Sequence, residues 1–506
     1  MAHDFEWIVR VFYFSDLHGF LLPRRAALEV AGGLPRIVAY IEDRISEFKG
    51  RYGGIPHATV LAVAGDIIAA HSPCCCVDRG ASAWKCFEEK MRTWTALDKV
   101  VVSLGNHDLD FGADGLLQLS HDGHTLVCSD LRLKKSGKAV GEGECLFVGD
   151  GGIKILFVSV SRSDDLDCVV AQRHADFDSI QRVDEETYLQ HGSGSACVCL
   201  CHQESKKNER LARLLKLAPH LLVEGHIHGC TNREVVGNSF LVAGGRDGRL
   251  IGYLDIGGTP TGVKLTNNSQ PELLRRPHER LDVYYYLQSI YDILILDGGP
   301  LANPVGEATC DLQDESDSSK RPTEMGTLVA NALFWKANKE TSLSPDNSFS
   351  LIRGNAIYGS LPRGTIAHGQ ILECLPLSAD DSDDARQLCV ISLSAPNIAA
   401  VMEDLAVRIT TEENFRGFPQ ISTNFPGAVV LHTASGHVEW QEALKDGPYN
   451  IVTTIGSVFG PKRNKALAER FQSSTPLSAY AHLALEEYIS AMSPITPPDL
   501  PRIAIA

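Results

Sequence analysis

Along the first half of the chain, apolar runs alternate with polar turns and amphipathic stretches, the pattern of a layered α/β or α+β domain. Val9 to Phe14, Thr59 to Ala64, Lys99 to Leu104, Ile153 to Val160, Ala196 to Leu200 and His220 to Val223 carry the runs that predict strands. Almost every run passes straight into a short segment rich in Asp, His or Asn. These segments are Ser15-Asp16-Leu17-His18, Gly65-Asp66, Gly105-Asn106-His107-Asp108, a lone His202 after its strand, and Gly225-His226-Ile227-His228. The ends of strands are where a layered sheet binds ligands, because loops converge there and backbone groups are left over.

The later part of Pro271 to Leu296 has a helical pattern and follows the loop-like residues 267–270, so residues 266–297 are expected to be a connector. That leaves residues 1–265 as a first domain and 298–506 as a second. Two acidic stretches in the second, 311–317 and 380–384, read as solvated loops. The Pro-rich residues 494–501 read as a loose tail.

Composition narrows the partners. The chain has 506 residues, with 47 Lys plus Arg against 63 Asp plus Glu, a net charge of −16. This argues against a long electrostatic footprint on nucleic acid or an anionic membrane, so an anionic substrate needs local attraction. No run approaches the roughly 18 apolar residues of a spanning helix, and the N-terminus shows no secretory signal. The 14 cysteines include three in succession at 74–76, which suits reduced thiols better than a disulfide framework. A cytoplasmic protein with no nucleic-acid or membrane partner is expected; nothing in the sequence bears on oligomeric state.

The polar segments together supply imidazoles, carboxylates and one amide oxygen, a mixed N/O donor set that suits Zn, Mn, Fe or Co rather than Ca or a thiolate site. A carboxylate among them permits bridging of two metals about 3.5–4 Å apart, the spacing used for in-line phosphoryl displacement. Cys197, Cys199 and Cys201 alternate ahead of His202 and so share one side of a strand, where they read as small buried hydrophobes.

In their fuller forms FSDLHGF, AGD and GNHDLDFG, these segments resemble the signature of the calcineurin-like metallophosphoesterases, and within them the 5′-nucleotidase family. The resemblance covers roughly residues 8 to 256. It implies an α/β domain of four layers, α/β/β/α, that binds two divalent metal ions drawn from Zn, Mn, Co, Fe or Mg. Asp16, His18 and His228 correspond to ligands of the first metal, Asn106, His202 and His226 to ligands of the second, and Asp66 to the bridging carboxylate. His107 matches the family's catalytic histidine and Asp110 the carboxylate that orients it. A histidine beside the metals suits hydrogen bonding to the phosphate or protonation of the leaving oxygen, and a neighbouring carboxylate fixes its tautomer.

The region after about residue 298 resembles the smaller α+β substrate-binding domain of the same family, through RPTEMGTLVANAL, LIRGNAIYGSLPRGTI, ILECLP, RGFPQIS and YNIVTT. Arg353 matches the arginine of its I-R-G-N run and Arg321 that of its R-x-x-E-type segment; an arginine fork binds phosphate oxygens in pairs. Ser348-Phe349-Ser350 stand where the family has Asn-Gly-Gly, and Leu375-Pro376-Leu377 stand where it has Leu-Pro-Phe. Residues 455–462, IGSVFGPK, replace its second stacking Phe and Gly-Gly-Asp-Gly loop, with Phe459 the one ring nearby. Each base-stacking ring contributes on the order of 1–3 kcal/mol, so nucleoside selection is expected to differ. The resemblance implies hydrolysis of a nucleoside 5′-monophosphate or a related small phosphate ester. The alternatives are a phosphatase or cyclic-nucleotide phosphodiesterase of other specificity, or a metal-binding interaction protein with little turnover.

Overall fold

In the computed structural model the apolar runs of the first half become the strands of two facing sheets. The structure describes residues 5–21, 24–26, 29–69, 72, 75, 80–110, 124–129, 131–133, 136–161, 177–179, 196–203, 205–214, 221–236, 239–259, 262–268, 272–273, 300–312, 321–357, 359–375, 386–411, 418–432, 435, 437–459, 465–470, 473–501 and 503–506. Two units divide the chain, Met1–Tyr291 and Asp292–Ala506. The helical part expected in the connector lies outside the described residues.

The first sheet of unit one contains β1 (Trp7–Phe14), β2 (His57–Ala64), β3 (Lys99–Ser103) and β4 (Thr125–Leu126), which run parallel. The second contains β5 (Cys145–Val148), β6 (Lys154–Val160), β7 (Ala196–His202), β8 (Leu221–Gly225), β9 (Cys230–Val236) and β10 (Ser239–Gly244). Its order is β9-β10-β8-β7-β6-β5, parallel through β6, β7, β8 and β10. The chain then returns to the first sheet with β11 (Leu250–Thr259) antiparallel to β1 and β12 (Gly262–Asn268) at the edge.

Period-two alternation assigns each face of these strands a layer. Val9, Val11, Val60 and Ala62 point between the sheets and meet Ile155, Phe157, Val198, Leu200, Leu221 and Val223. The other face of the first sheet, with Phe12, Phe14, Leu61 and Val63, is covered by α1 (Leu34–Tyr52) and α2 (Ala81–Thr93), which contribute Ile37, Ile41, Trp84 and Phe87. Cys197, Cys199 and Cys201 lie on the outer face of the second sheet with Leu156, Val158, Leu222 and Leu241. There α3 (Ser205–Leu214) packs beside β8 and β9. The order helix, sheet, sheet, helix is the four-layer arrangement expected. The three cysteines pack as small hydrophobes, with Cys199 Sγ and Cys201 Sγ 3.4 Å apart.

Strands β9 to β12 are absent from the apolar runs singled out above. In β11 the reason is its glycines, which weaken a strand pattern. Gly252 and Gly258 stand directly opposite Tyr13 and Trp7 of β1. A Cβ at Gly258 would lie 2.1 Å from the Trp7 ring, and one at Gly252 2.3 Å from the Tyr13 hydroxyl. The aromatic rings occupy the space that a side chain would fill, so these positions exclude the β-branched residues that mark a strand.

Unit two is α+β. A five-stranded sheet has the order β15 (Pro419–Ile421), β13 (Ser348–Arg353), β16 (Pro448–Thr454), β14 (Gln387–Ser394), β17 (Ser473–Tyr480). Helices α4 (Glu324–Thr341), α5 (His368–Cys374) and α7 (Ala481–Met492) pack in one core, where Leu328, Val329, Leu333, Ile371 and Leu485 meet Ile352 and Val452. Helix α6 (Ala395–Thr411) contributes Ile398 and Met402 to the other core, against Phe349, Leu351, Ile391 and Ile451. Among the described residues, no helix is long and apolar enough to cross a membrane.

Candidate metal centre

Every polar segment singled out in the first half sits at the C-terminal end of a parallel strand: after β1, β2 and β3 in one sheet, at β7 and β8 in the other. His202 is the last residue of β7 rather than a residue beyond it. The two sheets touch at this edge. His202 Nδ1 lies 2.8 Å from the Ala64 carbonyl at the end of β2, and a Cβ on Gly225 would come 2.2 Å from that same oxygen.

The backbone turns hard at these ends. Asp16, His18, Asp66, His226 and His228 have φ of 54°, 54°, 56°, 72° and 53°. Asp and His are among the few side chains that enter this left-handed region at all. The turns are tied to each other, with Asp16 N donating to Gly65 O at 3.0 Å and His18 N donating to Asp66 O at 2.8 Å.

The side chains of these segments converge. His226 N donates to both Asp16 carboxylate oxygens, at 2.9 and 3.2 Å. His228 Nε2 is 3.5 Å from Asp16 Oδ1 and His18 Nε2 is 3.9 Å from it. Asn106 Oδ1 lies 3.2 Å from His202 Nε2 and 3.0 Å from His226 Nδ1. Asp66 lies between the two groups. Its Oδ1 accepts from His107 N at 2.7 Å. Its buried Oδ2 accepts no hydrogen bond, although His202 Nε2 and His18 Nε2 face it at 2.9 and 3.5 Å. Ring nitrogens gathered round a carboxylate oxygen without hydrogen-bonding to it fit ligands arranged about a cation. Three sets, Asp16 with His18 and His228, His18 with Asp66 and His107, and Asp16 with Asp66 and His202, each bring ligand atoms within 4.8 Å of one another. The donor chemistry, imidazole with carboxylate, is that of a divalent transition-metal or magnesium site.

Electrostatics within the cluster follow from burial and proximity. Burial works against the Asp66 carboxylate, but His202 and His107 beside it, with His18, hold it well below the usual carboxylate range. Burial and the neighbouring Asp66 raise Asp16, although His202 opposes them. Burial also works against a charged His202, yet Asp66 and Asp16 push that ring up to about 9. Burial, then the positive charges of His18 and Arg246, bring His228 down to about 2, so this ring offers a lone pair at any ordinary pH.

His107 sits in a 3-10 turn, Asn106 leading it, and its Nδ1 is 2.9 Å from Asp110 Oδ2. Its side chain is 21% exposed while that of Asp110 is 2% exposed. The pair is therefore an accessible ring backed by a buried carboxylate.

Two carboxylates escaped the sequence reading. Asp108 accepts backbone N–H groups from Asp66 at 2.7 Å, Gly105 at 2.8 Å and Ile68 at 3.1 Å, pinning the loops after β2 and β3 together. Burial and Asp66 push it up to about 7, against the N–H groups of Gly105 and Ile68 and the His202 ring. Its signal was its place inside GNHD. Asp247, on the loop after β10, reaches His18 Nδ1 at 3.3 Å, and no motif marked it.

In unit two, Arg353 ends β13, opposite Pro419 of β15. Arg321 precedes the N-cap Thr323 of α4. Gln420 joins the two segments: it stands opposite Ile352, accepts from Thr323 N at 3.0 Å and donates to the Arg321 carbonyl at 2.7 Å. Ser348, Phe349 and Ser350 are buried strand residues. Leu375 is buried in the core under α5, while Pro376, Leu377 and the Phe459 side chain lie outside the described residues.

Comparison with known proteins accords with this geometry. Residues 9–230 match the calcineurin-like phosphoesterase family. Endonuclease YhcR of Bacillus subtilis is 21% identical over 406 residues, 73% of this chain, and the chain spans 31% of that relative's length. The crystal structure of a 5′-nucleotidase precursor from Thermus thermophilus superposes with a TM-score of 0.70 at 18% identity, covering 98% of this chain and 99% of the other. The sulfate thiohydrolase SoxB from the same genus superposes with a TM-score of 0.64 at 16% identity, covering 98% and 96%. The five strand-end segments gathered at one sheet edge lie in the region, residues 9–230, that matches the calcineurin-like phosphoesterase family, and the chain has the fold seen in a solved 5′-nucleotidase precursor.

Proposed function

We propose that this protein is a phosphomonoesterase that uses two divalent cations to hydrolyse nucleoside 5′-monophosphates or a related small phosphate ester. The observation that carries the reading is the convergence of seven donors from five strand ends beside an accessible, carboxylate-backed histidine. In this reading Asp16, His18 and His228 hold one cation, Asn106, His202 and His226 hold the other, and Asp66 bridges them. Cations held there supply charge neutralisation for the phosphate oxygens and a water of lowered pKa. They also concentrate positive charge at the site, so the net charge of −16 does not oppose an anionic substrate.

The protein's own groups carry the rest. With Nδ1 engaged by Asp110, Nε2 is the His107 atom suited to donate to a phosphate oxygen or to protonate the leaving oxygen. Asp110 fixes the tautomer of the ring. Arg353 and Arg321 offer planar forks suited to phosphate oxygens. Gln420 joins their two segments through the Thr323 N–H and the Arg321 carbonyl.

A second reading, an ester other than a nucleoside monophosphate, is favoured by residues 348–350. These lie buried in β13, with Ser350 Oγ donating to the Ala330 carbonyl, so they form a wall of the core. The fold alone does not fix the ester, since function resides in the site: a protein similar in sequence is described as an endonuclease and one similar in structure as a sulfate thiohydrolase. The test is hydrolysis by the full chain, with Mn, Co, Zn or Mg added, of AMP, UMP, a cyclic nucleotide, bis-p-nitrophenyl phosphate, p-nitrophenyl phosphate and single-stranded DNA. Preference for AMP or UMP, abolished by a chelator, supports the first reading. Turnover of the generic esters without that preference supports the second, and no turnover with both cations bound rejects both.

A further inference from the structure

Asp247 makes contacts that a surface loop residue has no need to make. It is 4% exposed, and at φ 57° it belongs to the same left-handed group as the cluster residues. Its backbone N donates to the Asp16 carbonyl at 2.6 Å, and its Oδ1 reaches His18 Nδ1 at 3.3 Å. One residue on the loop after β10 thus grips the backbone of the first strand-end aspartate and the ring of the histidine two residues on. Its other oxygen, Oδ2, meets Arg249 at 3.3 Å and Arg246 at 3.6 Å. Gly245, two residues earlier, donates to the Gly229 carbonyl at 3.0 Å and so seats the same loop against the His226–His228 turn.

We propose that Asp247 is a positioning residue for one cation of the pair, setting the tautomer and aim of His18. The inference rests on the dinuclear phosphoesterase reading above. A neutral imidazole has one N–H and one lone pair, and which nitrogen holds which is set by the partner of the other. With His18 Nδ1–H donated to the Asp247 carboxylate, the lone pair is at Nε2, the atom facing Asp66 Oδ2 and Asp16 Oδ1. A carboxylate behind a ligating histidine also raises its basicity, and loss of such a partner weakens metal affinity about 10–100-fold. The two arginines give the carboxylate a fixed orientation, so the ring is aimed through a chain that begins outside the ligand set.

The test is titration of the metal-free full chain with Co²⁺, read by absorbance and by metal per chain, for wild type, Asp247→Asn and Asp247→Gly. Glycine removes the carboxylate at a φ it adopts freely, and asparagine keeps an acceptor and a tolerated backbone while removing the charge. Wild type is expected to bind two cations. Asp247→Gly is expected to weaken one binding step by about 10–100-fold and leave the other unchanged, with Asp247→Asn nearer the lower figure. Equal weakening of both steps, the signature of a merely structural role, overturns the inference, as does wild-type affinity in either folded variant. Should the glycine variant not fold, the asparagine variant decides by the same criteria. A wild-type chain that takes up no Co²⁺ rejects the dinuclear reading itself, a result distinguishable from two-site binding that ignores Asp247.

Discussion

Asp16, His18, Asp66, His226 and His228 in unit one all lie at φ between 53° and 72°, whereas Arg353 in unit two, at the end of an equally regular strand, has φ −68°. Of the seven described non-glycine residues with positive φ, six, counting Asp247, belong to the metal cluster and its support; the seventh, Ser342, caps the end of α4. Such conformations cost on the order of 1–3 kcal/mol each and persist where the surroundings over-determine them. Here the surroundings are buried strand ends tied to one another by backbone hydrogen bonds. Unit one therefore commits its backbone to chemistry, while unit two places its candidate residues on ordinary backbone and spends its hydrogen bonds, such as those of Gln420, on joining segments.

The strongest attempt to break this contrast removes the side chain proposed to act in unit one without ligating. His107→Ala is expected to lower kcat by about 10²–10⁴-fold while metal per chain stays at the wild-type value, measured by steady-state kinetics and elemental analysis. Retained turnover would reduce the His107–Asp110 pair to a structural contact.

The next effect lies in unit two. Arg353→Ala is expected to raise KM for the preferred ester by about 10–100-fold, the range for losing a hydrogen-bonded charge contact of roughly 1.5–3 kcal/mol, with kcat close to wild type. A change confined to KM means uniform binding was lost. A parallel drop in kcat would show that the second unit takes part in the chemical step and would erase the division of labour.

That division also explains what the sequence could reveal. The cluster was legible because a left-handed position after a buried strand accepts few residue types, so Asp and His at 16, 18, 66, 226 and 228 stand out against apolar runs, and Asn106 and His202 stand out as polar residues at the ends of such runs. Asp108 was visible but unassigned, since its work is done through backbone N–H groups that leave no trace in residue identity. Asp247 was hidden because the loop 245–249, Gly-Arg-Asp-Gly-Arg, looks like any polar turn. Its role exists only after some 230 residues of chain have brought it back to His18. In the fold, β1 and β2 were plain as largely apolar runs, interrupted by Arg10 in one and Thr59 in the other, but β11 was not, because Trp7 and Tyr13 claim the space of its side chains. Substrate choice in unit two was the least legible part, since an arginine on ordinary backbone resembles any surface arginine.

A smaller effect sharpens the electrostatic side of the comparison. His202 is held up to about 9 by Asp66 and Asp16, so below that pH the metal-free ring carries a proton that an incoming cation must displace. Raising the pH toward 9 removes that competition, and lowering it strengthens it. Apparent affinity for the cation bound with Asn106 is thus expected to rise by up to about tenfold per pH unit between pH 6 and 9, since one displaced proton per cation corresponds to about 1.4 kcal/mol per unit. Cation titrations at several pH values, with proton release measured in parallel, check this. A flat profile would mean that His202 is already neutral in the metal-free cluster.

The smallest effect separates strain that serves chemistry from strain that serves nothing. Ser342 has φ 54° at the C-terminus of α4, is exposed, and donates its backbone N–H to the Asn338 carbonyl at 2.9 Å. Glycine is the preferred residue at such a left-handed cap because it has no Cβ to crowd the following carbonyl. Relief of that crowding is partly offset by the greater freedom of glycine in the unfolded chain. Ser342→Gly is therefore expected to stabilise the protein by about 0.5–1 kcal/mol, seen as a higher denaturation midpoint, with kcat, KM and metal content unchanged. The same relief at Asp16 or His228 would remove a proposed metal ligand and is expected to abolish turnover. If Ser342→Gly instead lowered activity, left-handed backbone in unit two would have to be counted among its functional features.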